Sequence, residues 1–327
     1  GHPALRLVEA LGDEHLDEVA SHPRDCVYPP CMCMGDIPIL GQWGTFSPSD
    51  ESNTPETPSR GTMRTTYVTR LLDRCVIRTG GLILRSEQQN MPDASNVIRM
   101  LIKHRAIVQI GRGAYVRAQD FTRLRGWEKF RLQAIGLGSR KGRTLAGYSA
   151  AEVHGLWTYT TVPQTHCLYR RGNGAMIKEN GLITFRELHY RLEEDDCVVV
   201  DGVQVTSVAR TIVDLCRVHG FGAGFVAACS ALRQRRITIP ELEAELRKTP
   251  ATLPTDLLLD NATGIVESAQ EAIFLAQVVF FGDFEITPQV TVTGSDGTRF
   301  RVDFRVKGST EHIELDGYEK YGQDAET

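Results

Sequence analysis

The sequence predicts an α+β protein with several domains, and three observations support this fold class. Its 327 residues are enough for two or three domains that each bury a core. Hydrophobic residues make up 41% of the chain and charged residues 24%, which is typical of globular proteins. Stretches in which apolar residues recur at helical spacing predict helices. Between them, short runs of alternating apolar and polar residues beside glycine turns predict strands. No apolar run reaches the roughly 20 residues of a membrane-spanning helix, so no membrane association is expected.

Residues 1–62 are predicted to be a disordered extension. From Pro29 to Thr62 they are rich in Pro, Ser, Thr and Gly, and such a composition buries too little apolar surface to offset the chain entropy lost on folding. Cys26, Cys31 and Cys33 cluster here, but their spacing matches no common zinc motif. The eight cysteines of this long chain are predicted to be reduced thiols, and the protein is expected in the cytoplasm.

Residues 63–122 contain the pattern of three helices followed by a hairpin. The helices are predicted over three short segments: Tyr67–Arg78, Arg85–Asn90 and Asn96–Arg105. Ser95 is the predicted N-cap of the third helix. Two short runs, Ile107–Ile110 and Ala114–Arg117, flank a Gly-Arg-Gly turn and predict a β-hairpin. This order predicts a winged helix-turn-helix, in which the third helix enters the major groove of DNA and the hairpin follows the backbone.

A basic block inside an otherwise acidic chain supports the same prediction. Residues 63–145 carry 17 basic and five acidic side chains, a net charge of +12, whereas the whole chain has a net charge of -4. Such a block favours a polyanionic partner, because phosphate contacts release condensed counterions. The predicted contacts to double-stranded DNA lie on the outer face of the third helix and at the hairpin turn: Ser95, Asn96, Arg99, Lys103 and Arg112. The alternative is a solvated helical bundle whose basic face binds nothing.

The rest of the chain alternates between helices and strands. Residues 123–255 are predicted to form an α+β middle domain, with helices over Arg123–Leu137, Ser207–Val218, Phe221–Arg235 and Ile239–Arg247 and strands over His166–Tyr169 and Cys197–Val200. Residues 256–327 are predicted to form a C-terminal domain, with a helix over Gly264–Phe280 and strands over Glu285–Val292, Arg299–Val306 and His312–Leu315.

Carboxylates in residues 256–327 form a second candidate site. Glu267 and Glu271 are four residues apart in a predicted helix, so they are expected on one helix face. Asp303 and Glu314 alternate with apolar neighbours in two predicted strands, so both carboxylates are expected on the polar face of one hairpin. Carboxylate oxygens are ligands that Mg²⁺ or Mn²⁺ prefers, and such an ion activates water for phosphodiester hydrolysis. The alternative is that these are ordinary residues of a solvated strand face.

The N-terminal half resembles a known family. The runs Gly81–Ser86, Asn96–Leu101 and Ile107–Val116 are similar to the N-terminal domain of AbiEi-type antitoxins, which are winged-helix proteins of type IV toxin–antitoxin systems. Tyr148–Leu156 and Val205–Leu215 are similar to the middle region of the actinobacterial relatives of these antitoxins. The resemblance implies a DNA-binding transcriptional regulator that acts on its own operator and antagonises a cognate toxin of the nucleotidyltransferase type.

The C-terminal region resembles the PD-(D/E)XK nuclease superfamily, and in particular the small domain related to very-short-patch-repair endonucleases. This resemblance implies that Glu271, Asp303 and Glu314 bind the metal, with Asp316 close by. Lys320 completes the predicted catalytic set, because a lysine near the metal can stabilise the charge that develops on the phosphate. Asp316 replaces the superfamily's lysine two residues after the second acid, and the chain stops at Thr327, so this nuclease-like domain is expected to be incomplete and impaired. The alternative function is a metal-dependent DNA endonuclease, and a third is a remnant that binds DNA without cleaving it.

Overall fold

The computed structural model describes residues 60–159, 162–169, 176–179, 183–188, 192–248, 254–295 and 297–315. Helices and strands are mixed along these residues, which confirms the expected α+β class. The predicted N-terminal extension lies outside them, except that its last residues belong to the first helix, which begins at Arg60.

Ten α-helices are present in the described residues: α1 Arg60–Asp73, α2 Ala94–Lys103, α3 Ala118–Phe121, α4 Gly126–Gly138, α5 Gly147–His154, α6 Val208–His219, α7 Phe221–Arg233, α8 Ile239–Arg247, α9 Thr255–Asn261 and α10 Ala269–Phe281. None of these helices is both long enough and apolar enough to cross a membrane.

Twelve strands form three sheets in the same part of the chain: β1 Leu82–Leu84, β2 Ile107–Gly111, β3 Ala114–Arg117, β4 Thr144–Ala146, β5 His166–Tyr169, β6 Met176–Glu179, β7 Ile183–Leu188, β8 Cys197–Val200, β9 Val203–Thr206, β10 Ile286–Thr293, β11 Arg299–Val306 and β12 His312–Ile313. The first sheet has the antiparallel order β1-β3-β2, and the third has the antiparallel order β10-β11-β12. The second sheet is mixed, with the order β6-β7-β5-β4-β9-β8, because β4 pairs with β9 in parallel and β5 with β7 in parallel.

Five elements have the bounds that the sequence predicts, namely β3, β5, β8, α8 and β11. Helix α8 begins where Thr238 and Glu241 form a reciprocal cap. The Glu241 carboxylate accepts a hydrogen bond from the Thr238 amide at 2.8 Å, and the Thr238 hydroxyl accepts one from the Glu241 amide at 3.4 Å. In β11, Val302 and Phe304 are buried and Arg301 is exposed, as the alternation predicts. These bounds depend on local signals.

The first two predicted helices differ from the structure. Helix α1 ends at Asp73, and the segment predicted as a second helix is only a short 3-10 turn over Arg85–Glu87. The cause is the buried side chain of Gln88. Its Oε1 accepts a hydrogen bond from the Val76 amide at 2.9 Å, and its Nε2 donates to the Val76 carbonyl at 3.0 Å. The side-chain amide therefore replaces the backbone partners that a longer helix would supply.

Ser95 is not the N-cap of α2, contrary to the sequence prediction. The helix begins at Ala94, and Asp93 is the N-cap residue. The Asp93 carbonyl accepts hydrogen bonds from the amides of Asn96 at 2.8 Å and Val97 at 3.0 Å, while its carboxylate forms an ion pair with Arg74. Ser95 consequently lies in the first turn of α2, where its side chain is exposed.

The first sheet separates two hydrophobic cores. On one face, Ile83 and Ile107 pack with Val97 of α2. The opposite face, which includes Ala114, shares a second core with α4 and with strands of the second sheet. Gly136 permits this packing, because a Cβ atom at that position would lie 2.5 Å from the Cβ of Ala114.

The largest core joins the middle and C-terminal parts of the described chain. It includes Phe225 of α7, Leu242 of α8, Leu275 of α10 and Phe304 of β11. Shared cores therefore cross both positions at which the sequence predicts a domain boundary. The division into domains at 63–122, 123–255 and 256–327 remains a prediction.

A buried charged network connects α6 to the second sheet. Arg210 donates hydrogen bonds from Nη1 to Asp196 Oδ2 at 3.0 Å, from Nε to Asp214 Oδ1 at 3.1 Å and from Nη2 to the Tyr169 hydroxyl oxygen at 2.9 Å. The Tyr169 hydroxyl donates to Asp214 Oδ1 at 2.7 Å. Burial raises the pKa of Asp214 to about 6. The network holds α6 at one place and in one orientation against the sheet.

Candidate nucleic-acid interface

Helix α2 presents four predicted DNA contacts on one exposed face. Val97, Ile98 and Leu101 are buried in the core beside the first sheet. Because an α-helix has 3.6 residues per turn, the opposite side of α2 faces solvent. The four predicted contacts of this helix are all exposed: Ser95, Asn96, Arg99 and Lys103. Nη2 of Arg99 donates to Asn96 Oδ1 at 2.5 Å, so these two side chains are held together on the surface.

The hairpin of β2 and β3 places the fifth predicted contact in solvent. Gly113 has a φ of 77°, a left-handed conformation that glycine adopts without strain. The pairing register shifts between Gln109 and Gly111, just before the turn. Arg112 lies in this turn and is exposed. The structure therefore confirms the glycine-turned hairpin with one arginine at its tip.

Arg85 connects the hairpin turn to α2. Its amide donates to the Gly113 carbonyl at 2.8 Å, and its Nη2 donates to Ser95 Oγ at 2.8 Å. The Arg85 side chain is exposed, so a third arginine lies between the exposed face of α2 and the turn. Arg85 was not among the predicted contacts, because its sequence predicts a separate helix over Arg85–Asn90. A basic residue directly after a buried strand is the one local signal that marks it.

Most acidic side chains of residues 63–145 interact with groups other than the side chains of Arg85, Arg99 and Arg112. Three of them form ion pairs: Arg74–Asp93, Arg78–Glu87 and Arg117–Asp120. The Glu128 carboxylate accepts a hydrogen bond from the Arg125 amide at 2.7 Å at the start of α4. Within the residues that the structure describes, no carboxylate pairs with Arg85, Arg99 or Arg112. Their positive charge is therefore available to attract a polyanion.

Glu271, the first predicted metal ligand, is buried and already hydrogen bonded through both carboxylate oxygens. Its Oε1 accepts a hydrogen bond from Ser268 Oγ at 2.8 Å, and its Oε2 accepts from the Glu267 amide at 2.9 Å and from Gln289 Nε2 at 2.8 Å. The expectation that Glu267 and Glu271 share a helix face was wrong, because α10 begins only at Ala269, with Ser268 as its N-cap. Glu271 acts here as part of a helix cap.

Asp303 lies in β11, and Glu314 directly follows Ile313, the last residue of the neighbouring strand β12. The register pairs Phe304 with Ile313, and it therefore places Asp303 beside Glu314 on the other face of the sheet. Asp303 Oδ2 accepts a hydrogen bond from the Leu315 amide at 2.8 Å. Two of the three predicted ligands are thus brought together by the third sheet.

Gln289 links Glu271 to the face that carries Asp303. Pro288 pairs with Phe304 and Val290 with Val302, so Gln289 lies opposite Asp303 between these pairs. Gln289 has a φ of 54°, and its Nε2 atom binds Glu271. Its Oε1 atom is buried without a hydrogen-bond partner among the described atoms.

The described carboxylates do not form a metal cage. In the part of the chain that the structure describes, no group of three or more His, Cys, Asp or Glu side chains is arranged to hold an ion. Mg²⁺ requires a nearly octahedral set of oxygen ligands, and the oxygens of Glu271 are already occupied by protein donors. Asp316 and Lys320, the other predicted catalytic residues, lie outside the described residues.

No family model matches the chain, and no curated protein matches it. Among solved structures, the chain is similar to the crystal structure of the RV2827C protein from Mycobacterium tuberculosis, with 13% sequence identity and a TM-score of 0.36. This match covers 71% of the present chain and 89% of that chain. At so low a TM-score, the similarity carries no inference about function.

Proposed function

We propose that the protein binds double-stranded DNA through a winged helix-turn-helix made of α1, α2 and the β2–β3 hairpin. The observation that carries the proposal is the row of exposed polar and basic side chains on α2, which Arg85 connects to the hairpin turn that contains Arg112. An α-helix fits the major groove, where its outer polar side chains reach base edges. An arginine beside it reaches the phosphates, which fix the position of the protein on the duplex.

We further propose that the protein is a transcriptional regulator of the AbiEi antitoxin type with a nuclease-like C-terminal domain. Two arguments support this role, namely the resemblance of the N-terminal runs to that family and the exposed basic face of α2. In this role the protein acts in the cytoplasm, binds the operator of its own gene and antagonises a cognate toxin of the nucleotidyltransferase type.

Replacement of Arg112 by Ala is expected to weaken binding to every DNA sequence alike. The loss of one phosphate contact lowers the affinity by about fivefold to tenfold and reduces the slope of log K against log salt by about one. Fluorescence anisotropy with labelled duplexes, over a titration of NaCl, measures both quantities. One duplex carries the region upstream of the gene, and the other has a scrambled sequence.

Replacement of Arg99 by Ala is expected to reduce the preference for the upstream duplex over the scrambled one by about 1–3 kcal/mol, because Arg99 faces the bases. Arg247→Ala is the control, since this exposed arginine pairs with Glu243 on α8 and should leave binding unchanged. The proposal is wrong if the folded protein shows no salt-sensitive binding to either duplex.

One observation favours a second candidate function, a metal-dependent DNA endonuclease. It is the position of Glu314 directly after β12, where the next residue, Leu315, donates its amide to Asp303 Oδ2 at 2.8 Å, so that two carboxylates lie in neighbouring segments of the chain. The bound carboxylate of Glu271 argues against it. We therefore rank it below DNA binding.

A plasmid-nicking assay with Mn²⁺ separates the two functions. If the protein is an endonuclease, we expect it to nick supercoiled plasmid and Asp303→Asn to reduce the rate at least a hundredfold, on the order of losing a metal ligand. Glu311→Gln is the matched control, since Glu311 is exposed in the same hairpin. DNA binding without nicking, by protein whose circular dichroism shows it to be folded, would exclude the endonuclease.

A further inference from the structure

The outer face of α2 contains two side-chain oxygens, and an arginine donates a hydrogen bond to each of them. Four exposed side chains form this face: Ser95, Asn96, Arg99 and Lys103. Arginine and lysine side chains carry no acceptor, so Ser95 Oγ and Asn96 Oδ1 are the acceptors of the row. Ser95 Oγ accepts from Arg85 Nη2 at 2.8 Å, and Asn96 Oδ1 accepts from Arg99 Nη2 at 2.5 Å.

The groups that this face leaves for a partner are mostly donors. Ser95 keeps its own O–H, because Arg85 binds only the oxygen. Asn96 keeps both hydrogens of Nδ2, and Arg99 keeps those of Nε and Nη1. The ammonium group of Lys103 is exposed and has three further donors. A ligand that offers several acceptors close together therefore fits this face best.

The bases of DNA differ in the number of acceptors that they present in the major groove. Guanine presents two acceptors, N7 and O6. Adenine presents N7 beside an amino donor, thymine presents O4 beside a methyl group, and cytosine presents an amino donor. A face of donors thus pairs with both groups of guanine, whereas the amino group of adenine or cytosine would lose its hydrogen bond to water without gaining another.

The contact between Asn96 and Arg99 decides between guanine and adenine. An unengaged asparagine pairs with adenine, because its Oδ1 accepts from the amino group and its Nδ2 donates to N7. Here the Arg99 guanidinium lies against that oxygen. An adenine amino group that approached Asn96 Oδ1 would meet the positive hydrogens of the guanidinium, which repel it. The acceptors of guanine attract both side chains.

We propose that α2 selects guanine in the major groove. Arg99 donates to O6 and N7 of the base, and Asn96 Nδ2 donates to an acceptor of the same or the adjacent base pair. This selection rests on the proposed DNA binding through α2 and adds to it the base that the helix reads.

Selection from a library of duplexes with a random segment of about two helical turns, ~20 base pairs, identifies the sequence that the full chain prefers. We expect guanine to be enriched at the contacted positions. Arg99→Ala should select adenine in place of guanine at one of them, because Asn96 Oδ1 is then free to accept from the adenine amino group. Arg247→Ala, which alters an exposed arginine of α8, is the control and should select the same sequence as the unmodified protein.

Modified bases in the selected duplex locate the contact, with fluorescence anisotropy as the measurement. Replacement of guanine by 7-deazaguanine removes the N7 acceptor and should weaken binding at least about fivefold. Replacement of adenine by 7-deazaadenine is the matched control and should leave binding unchanged. Inosine keeps both major-groove acceptors of guanine and lacks only the minor-groove amino group, so it should also bind equally well. Arg99→Ala should lose less affinity with 7-deazaguanine than the unmodified protein does.

The outcomes separate guanine selection from DNA binding itself. If the folded protein binds no duplex of the library, both are wrong. If it binds duplexes without enriching guanine, or binds the 7-deazaguanine duplex as tightly as the guanine duplex, only guanine selection is wrong. A loss of affinity with inosine instead would place the contact in the minor groove and would also overturn it. Circular dichroism of each variant shows whether it is folded.

Discussion

Arg210→Ala is expected to lower the free energy of unfolding by about 3–5 kcal/mol or to prevent folding. Arg210 is buried and donates hydrogen bonds to Asp196, Asp214 and Tyr169. Without the guanidinium, the Asp214 carboxylate remains buried and loses its ion pair, while Asp196 keeps its ion pair with the partly exposed Lys248. A buried charge without its partner is far more costly than a missing surface contact.

Urea denaturation followed by circular dichroism measures this loss. Arg210→Lys is expected to be intermediate, because an ammonium group keeps the charge but cannot reproduce the planar geometry that reaches three partners. Arg247→Ala, which removes an exposed ion pair, should change the stability by less than about 0.5 kcal/mol. If Arg210→Ala unfolds at the same urea concentration as the unmodified protein, the network does not hold α6 in place.

Gly224→Ala is expected to lower the free energy of unfolding by about 1–3 kcal/mol, although alanine is the better helix former. Helices α6 and α7 approach each other at this position. A Cβ atom at position 224 would overlap Cys216 Sγ and lie 3.1 Å from the Ile212 carbonyl oxygen. All three residues are in packed helices of the largest core, so the added methyl group must displace its neighbours.

The double variant identifies the cause of this loss. Cys216→Ala removes the sulfur atom that the new methyl group would meet, so Gly224→Ala should be less destabilising in that background than in the unmodified protein. Gly222→Ala is the matched control in the same helix, because the three atoms nearest to its Cβ would all belong to the ring of Tyr159, which is partly exposed and can move. Strictly additive losses for positions 216 and 224 would contradict the steric explanation.

Local signals in the sequence were sufficient for several elements. The reciprocal cap of Thr238 and Glu241 marks the start of α8, and the alternation around Asp303 marks β11 with its buried and exposed faces. The same reasoning found the hairpin around Arg112 and the exposed face of α2. These signals act between residues that are close in sequence, where spacing alone determines which side chains share a face.

The tertiary structure alone decided the features that depend on distant partners. Gln88 ends the first helical segment through contacts with Val76, and Gln289 binds Glu271 from a position 18 residues away. Arg210 reaches Tyr169 across 41 residues. A side chain of given type can cap a helix, bind a metal or fill a core, and only the packing of remote segments selects among these uses. The sequence by itself therefore determined the fold class and many of its elements. The long-range contacts decided which polar side chains form hydrogen bonds within the protein and which remain exposed to a partner.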